Sequence, residues 1–249
     1  SSVARATVAD NRVIGDPAAP ENRRANGIHL WKCGHVTVLR DTVLNHRDGI
    51  YLEFVTDSHV GGDTTAYNAR YGLHFMLSHR DSYTHNVFHD NGAGVAVMFT
   101  KEVIMTDNQF LRNRGASAYG LLLKEINDAH IERNVFADNT VGILLDGCNR
   151  ATVRSNTFHA NGWAVRLFAN STGSTFETNA FSANTFDMTT NGDLVLSVLK
   201  GNYWDRYYGG GYTDWNVGVT YTLGNFVLGL KYIDGSDLKP ANDTPNDVG

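Results

Sequence analysis

The chain has no run of basic residues, no long apolar segment and only two cysteines. Each absence excludes a class of function. With a formal net charge of -5 and its Lys and Arg scattered, it lacks the electrostatic footprint that nucleic-acid binding requires, so no DNA or RNA partner is expected. No stretch approaches the roughly 18 apolar residues that span a bilayer, and Ser1-Ser2-Val3-Ala4 does not read as a signal peptide; a soluble chain is expected. No Ser-His-Asp set, phosphate-cradling loop or zinc-ligand spacing can be assembled either.

What the chain does have is a beat. Gly27-Ile28-His29-Leu30 recurs as Gly49-Ile50-Tyr51-Leu52, Gly72-Leu73-His74-Phe75, Gly94-Val95-Ala96-Val97, Gly120-Leu121-Leu122-Leu123, Gly142-Ile143-Leu144-Leu145 and Ala164-Val165-Arg166-Leu167, in steps of 22, 23, 22, 26, 22 and 22 residues. Such a period marks a solenoid, whose units stack to bury a continuous core that none could bury alone. A second phrase follows in Asn86-Val87-Phe88, Asn108-Gln109-Phe110, Asn134-Val135-Phe136, Asn156-Thr157-Phe158 and Asn179-Ala180-Phe181, with further asparagines at Asn68, Asn91, Asn113, Asn139, Asn161 and Asn184. Asparagine tolerates left-handed turns and its amide can bond a stacked neighbour, so two turn ladders are expected. Between them lie Val-, Ile-, Leu- and Phe-rich runs of four to six residues, too short for helices.

Leucine-rich repeats share this period but require more leucine and a helical or 3₁₀ return. The expected fold is therefore all-β: a right-handed parallel β-helix of about 22 residues per coil and roughly eight to nine coils. It should occupy residues 1–207, followed by a Gly/aromatic β-hairpin over 208–233 and a polar, disordered tail over 234–249. Longer steps before Gly27 and Gly120, through Asp16-Pro17 and Arg114-Gly115-Ala116-Ser117, fall at one corner; they mark either a working face or a tolerant loop.

Equal offset from the glycine means equal place in the stack, so each offset is a ladder with a rung every ~4.8 Å. Cys33 and Cys148 share an offset five repeats apart, roughly 24 Å by that spacing, well beyond disulfide reach. Two free thiols are expected. Offsets one and three should point inward. Offset two (His29, Tyr51, His74, Ala96, Leu122, Leu144, Arg166) and offset four (Trp31, Glu53, Met76, Met98, Lys124, Asp146, Phe168) should then point outward. Trp31, Tyr51, Leu122, Leu144 and Phe168 make this strip apolar enough for a partner surface. In its middle stand His74, Met76 and Met98, with Glu53 a rung earlier and His79 at the following turn. Thioether and imidazole are soft donors suited to Cu(I), although Met and His on β surfaces also serve simply as packing. The other histidines scatter, His46 replaces an asparagine in a turn ladder, and the offset-eight column (His35, Asp57, Arg80, Glu102, Asp128, Arg150) reads as a solvated edge of salt bridges.

The phrases Gly27-Ile-His-Leu-Trp-Lys-Cys33, His46-Arg-Asp-Gly-Ile-Tyr-Leu-Glu-Phe-Val-Thr-Asp57, Arg70-Tyr-Gly-Leu-His-Phe-Met76, Asn91-Gly-Ala-Gly-Val-Ala-Val-Met98, Tyr119-Gly-Leu-Leu-Leu-Lys-Glu125 and Gly201-Asn-Tyr-Trp-Asp-Arg206 closely resemble the NosD family, periplasmic β-helix proteins needed to mature nitrous oxide reductase. The likeness covers about residues 10–207. It implies a periplasmic, non-enzymatic accessory that works with an ABC transporter and a copper chaperone to supply copper to apo nitrous oxide reductase. Copper, as transient Cu(I), would be its cargo, with no organic cofactor and no catalytic residue. After Tyr207 the chain departs from the family pattern, and the hairpin around Trp215–Ile233 resembles one from an outer-membrane-type barrel. It either caps the open end of the helix or belongs to something else, as a fusion would. Two other functions stay open: a carbohydrate-active β-helix of the uronan epimerase or lyase type using Arg47, Asp48, Glu53 and Arg70, and a passive binding scaffold.

Overall fold

In a computed structural model, residues 4–168, 170–191 and 197–205 are described in full, together with the strand backbones of 212–223 and 226–234. The glycine phrases become eight parallel strands in one sheet: Ile28–Trp31, Asp48–Glu53, Tyr71–Met76, Ala93–Lys101, Tyr119–Asn127, Val141–Asp146, Trp163–Leu167 and Phe186–Thr190. Successive phrases pair residue for residue, Ile50 with Leu73 and Val95 with Leu121. The remaining strands of each coil are short, such as Thr152–Arg154 and Thr157–His159, and stack in a second sheet. The result is a parallel β-solenoid of about seven turns. Among the described residues the only helical element is the 3₁₀ turn Glu21–Arg23, which removes the leucine-rich-repeat alternative.

The repeat holds because every coil buries the same things. Ile50, Leu73, Val95, Leu121, Ile143 and Val165 form one fully buried column. Phe110, Phe136, Phe158 and Phe181 form another, their rings stacked 4.5 to 4.9 Å apart and capped by Trp204. Aromatic pairs of this kind add about 0.5–1.5 kcal/mol each beyond the area they bury.

The asparagine columns are the ladders of stacked amides expected, but they do not supply the left-handed residue of each turn. Left-handed backbone falls one residue earlier, at His85, Asp107, Arg133, Ser155 and Thr178, while the asparagines point inward and are buried. The Oδ1 of Asn134 accepts both the backbone N–H and the Nδ2 of Asn108, and its own Nδ2 donates to the carbonyl of Met105 and to Asn156. Each amide thus satisfies the polar backbone of a tight corner that water cannot reach. His46 occupies one rung of such a column, its N–H donating to Asn68 Oδ1.

The left-handed corners themselves carry the charges. Arg40, Arg80, Arg112, Arg133 and Arg150 each meet an aspartate of the preceding coil, Asp10, Asp57, Asp90, Asp107 and Asp128, at 2.7 to 2.9 Å. Arg80 with Asp57 and Arg150 with Asp128 lie on the offset-eight edge and are the salt bridges expected there; the other three pairs line other corners. Cys33 and Cys148 are free thiols, Cys148 fully buried.

At the C-terminal end, Tyr212–Leu223 and Phe226–Asp234 pair antiparallel, and the first of them also pairs antiparallel with Val198–Trp204, the last strand of the stack. A covering strand makes that pairing on an otherwise open sheet edge. The tail expected from 234 onward lies, apart from its first residue, outside the described residues, as does the Gly209–Gly211 link.

Candidate functional site

The outer face of the eight-stranded sheet collects the predicted donors, but not on equal terms. Met98 stands directly across from Met76 on the neighbouring strand, and Met76 directly across from Glu53. All three are half-buried, neither sealed nor free. Their side chains share one face with a rung spacing of ~4.8 Å, which brings two thioethers within reach of one small ion.

His74 lies on the same face, two residues before Met76, yet only 6% of it is exposed. The strip is not uniformly outward-facing and open: Ala96 and Leu144, expected to be exposed at the same offset, are also buried. The cause is the size of the neighbours. The Tyr51 and Tyr71 rings lie 4.8 Å from the His74 ring, centroid to centroid, while Leu144 sits in register between Leu122 and Arg166. Trp31 remains half-exposed and Tyr51, Leu122 and Phe168 are partly covered. Arg166 lies over the Phe168 ring.

His79 is on a different face. The chain turns through left-handed backbone at Leu77, so His79 pairs with Thr56 beyond the corner. Its Nδ1 is buried without a partner, and burial together with Lys101 and Arg80 holds its pKa below the usual imidazole value. A neutral imidazole is the ligand-competent form.

Sequence reasoning missed two features. First, the alternation of sides breaks at the glycine, so the residue preceding it also points outward. Asp48 therefore reaches His74, with Oδ2 at 3.5 Å from Nδ1 and Oδ1 at 3.8 Å from Arg70 Nε. Asp48 is buried, and its Oδ1 and both ring nitrogens of His74 lack hydrogen-bond partners. Of the four residues considered for a carbohydrate site, Asp48 and Arg70 come together, Arg47 stacks beneath Arg70 through its backbone carbonyl, and Glu53 sits at the other end of its strand. Second, the corner after offset four places Phe54, Leu77 and Phe99 in left-handed backbone, a conformation bulky side chains rarely adopt. Phe54 and Phe99 are exposed there, and Lys32 lies over both the Trp31 and Phe54 rings.

Among the described residues, no three His, Cys, Asp or Glu side chains converge as an ion cage. Metal capture on this face would thus rest on thioether sulfur. A surface depression of about 410 Å³ beside Arg5, Thr7 and His35 lies at the far N-terminal end and holds none of these donors.

A family model described as "Periplasmic copper-binding protein (NosD)" matches residues 5–226. That span extends past the resemblance expected from the repeat phrases and into the hairpin. No curated protein matches the chain. Solved structures similar to it include the periplasmic alginate epimerase AlgG, at TM-score 0.60 and 14% identity over 70% of this chain and 46% of that one. The enzymatically active domain of bacteriophage CBA120 tailspike protein 2 matches at TM-score 0.61 and 9% identity over 78% and 43%. DFA-IIIase from Arthrobacter chlorophenolicus A6, without its lid, matches at TM-score 0.53 and 14% identity over 71% and 49%. The chain spans less than half the length of each, and at these identities the likeness is one of fold alone.

Proposed function

We propose a copper-handling role, because this chain belongs to the NosD family of periplasmic copper-binding proteins. In this role it is an accessory rather than an enzyme. Cu(I) is its transient cargo, handled in the periplasm with an ABC transporter and a copper chaperone and destined for apo nitrous oxide reductase. The observation that carries the role is the in-register pair Met76 and Met98, half-buried on an outer sheet face. Thioethers favour Cu(I) over hard cations, and an incompletely enclosed pair lets a second protein's ligands displace them. Glu53, in register with Met76, is the neighbouring donor that could complete the coordination, whereas His74 is sealed beneath Tyr51 and Tyr71 and His79 lies beyond the corner. Trp31, Tyr51, Leu122 and Phe168 supply the apolar surface along which the copper donor or acceptor docks.

Anaerobic titration of Cu(I) against a chromophoric competitor tests this. The Met76→Ala/Met98→Ala double variant should bind Cu(I) at least tenfold more weakly than the wild type. Equal affinity in the two proteins would sink the site.

A further inference from the structure

The second unexplained feature of this face lies at the opposite end of the long strands from the methionines. At that corner Arg47 and Arg70 stack on successive coils, the N–H of Arg70 donating to the carbonyl of Arg47 at 2.8 Å. The next coil has Gly92 there, where a Cβ would run into the carbonyl of Ala69. A shallow depression of about 260 Å³ therefore opens above Arg70, Tyr71 and Ala93, and the inserted segment Arg114–Ser117 forms its far wall.

The arginines at this corner are chemically unlike those in the corner ladders. There, each guanidinium is tied to an aspartate at 2.7 to 2.9 Å. Arg70 has only Asp48, at 3.8 Å. Arg47 bonds the Asn26 amide at 3.1 Å, and its Nε is buried without a partner. Beside them lie the buried Asp48 and His74, more than nine-tenths covered, with Oδ1 and both ring nitrogens unpartnered. Native proteins seldom leave so many buried polar atoms unmatched in one place unless a ligand supplies the partners. Arg114 is occupied, bonding Asp138 through Nε and Nη2.

We infer that this corner binds an acidic sugar, a uronate-bearing oligosaccharide, through Arg70, with Tyr71 as the stacking platform. A guanidinium fork matches a carboxylate in two parallel hydrogen bonds. A tyrosine ring offers the flat, weakly apolar surface that the C–H face of a pyranose covers; Tyr71 is held by Arg70 at 5.1 Å from its centroid. The depression is open along the stack, a shape that receives part of a chain and does not enclose a small metabolite.

The test is calorimetric or NMR titration of the whole protein with a tetrauronate, an uncharged tetrasaccharide of the same linkage and inorganic phosphate. The tetrauronate should bind at low millimolar or tighter, the other two at least tenfold more weakly. Arg70→Gln and Tyr71→Ala should each cost about tenfold or more, with circular dichroism and melting temperature confirming the fold. Arg150→Gln, a corner arginine on a distant coil, should leave binding unchanged. Absence of tetrauronate binding, equal binding of the uncharged sugar or of phosphate, or full binding by folded Arg70→Gln would each overturn the assignment.

Discussion

The Asp48 carboxylate stands 3.5 Å from the imidazole Nδ1 of His74, and both side chains are buried on what a repeat-based reading would make an open sheet face. Removing one member of a buried charged cluster leaves the others uncompensated and typically costs about 3–5 kcal/mol. Asp48→Ala should therefore lower unfolding free energy by about 3 kcal/mol in a urea titration, and Asp48→Asn, which keeps shape and hydrogen-bonding atoms, by clearly less. Equal effects of the two would show that the charge is not what the pocket holds.

Asn134 makes four side-chain hydrogen bonds inside the solenoid. Asn134→Ala strands the N–H of Asn108 and the carbonyl of Met105 away from water, so a loss of about 2–4 kcal/mol is expected. Asn170→Ala, on an exposed amide bonded to Asp146, should cost under about 1 kcal/mol. Chemical denaturation of the two variants compares them directly.

Three buried carboxylates, Asp41, Asp63 and Asp81, stand in columns otherwise built of neutral groups. Asp63 stands on the rung before Asn86, whose Oδ1 accepts its N–H, and burial raises its pKa to about 7; Asp81, beneath Ser58, is likewise raised to about 7 by burial. A folded pKa above the unfolded value near 3.8 means that the protonated form is favoured on folding. Its contribution is fully present below about pH 4 and is lost as pH rises through about 7. Asp63→Asn should thus add about 1–2 kcal/mol at pH 8 and almost nothing near pH 4. Thermal melts across pH 4–8 would expose the reverse trend if the carboxylate were instead stabilised by its neighbours.

The thiols should differ sharply in reactivity. Burial pushes Cys148 up to about 12, and its Sγ–H donates to the carbonyl of Leu123, whereas Cys33 is only half-buried. At pH 8 a chromogenic disulfide reagent should titrate one thiol in the native protein and two in denaturant. Two fast thiols in the native state would contradict the burial of Cys148.

Much of this fold was legible from the period, and the reason is geometric. Once strands stack parallel and in register, an offset in the repeat is a position in space, so Ile50, Leu73 and Val95 had to share one column and Phe110, Phe136 and Phe158 another. Asn86 and Asn91 are legible as rungs of stacked amide ladders, but the left-handed residue of each turn is the one before them. A side chain that tolerates left-handed turns can equally serve as the buried amide that satisfies the turn before it, and composition does not separate the two. The same ambiguity hid the apolar corner at Phe54 and Phe99, because no local preference predicts a phenylalanine at positive φ.

For the candidate site, the repeat by itself determined that Met76 and Met98 are neighbours and that Glu53 is next in line, since one register shift would turn every core residue to the outside. Tertiary structure alone decided that His74 is sealed and Met76 is not, because burial on a sheet face depends on the bulk of the residues on adjacent rungs, here Tyr51 and Tyr71 against Glu53 and Met98. It alone brought Asp48 and Arg70 to His74, through a break in alternation at Gly49 and Gly72, where a Cβ would collide with the carbonyl of the next coil.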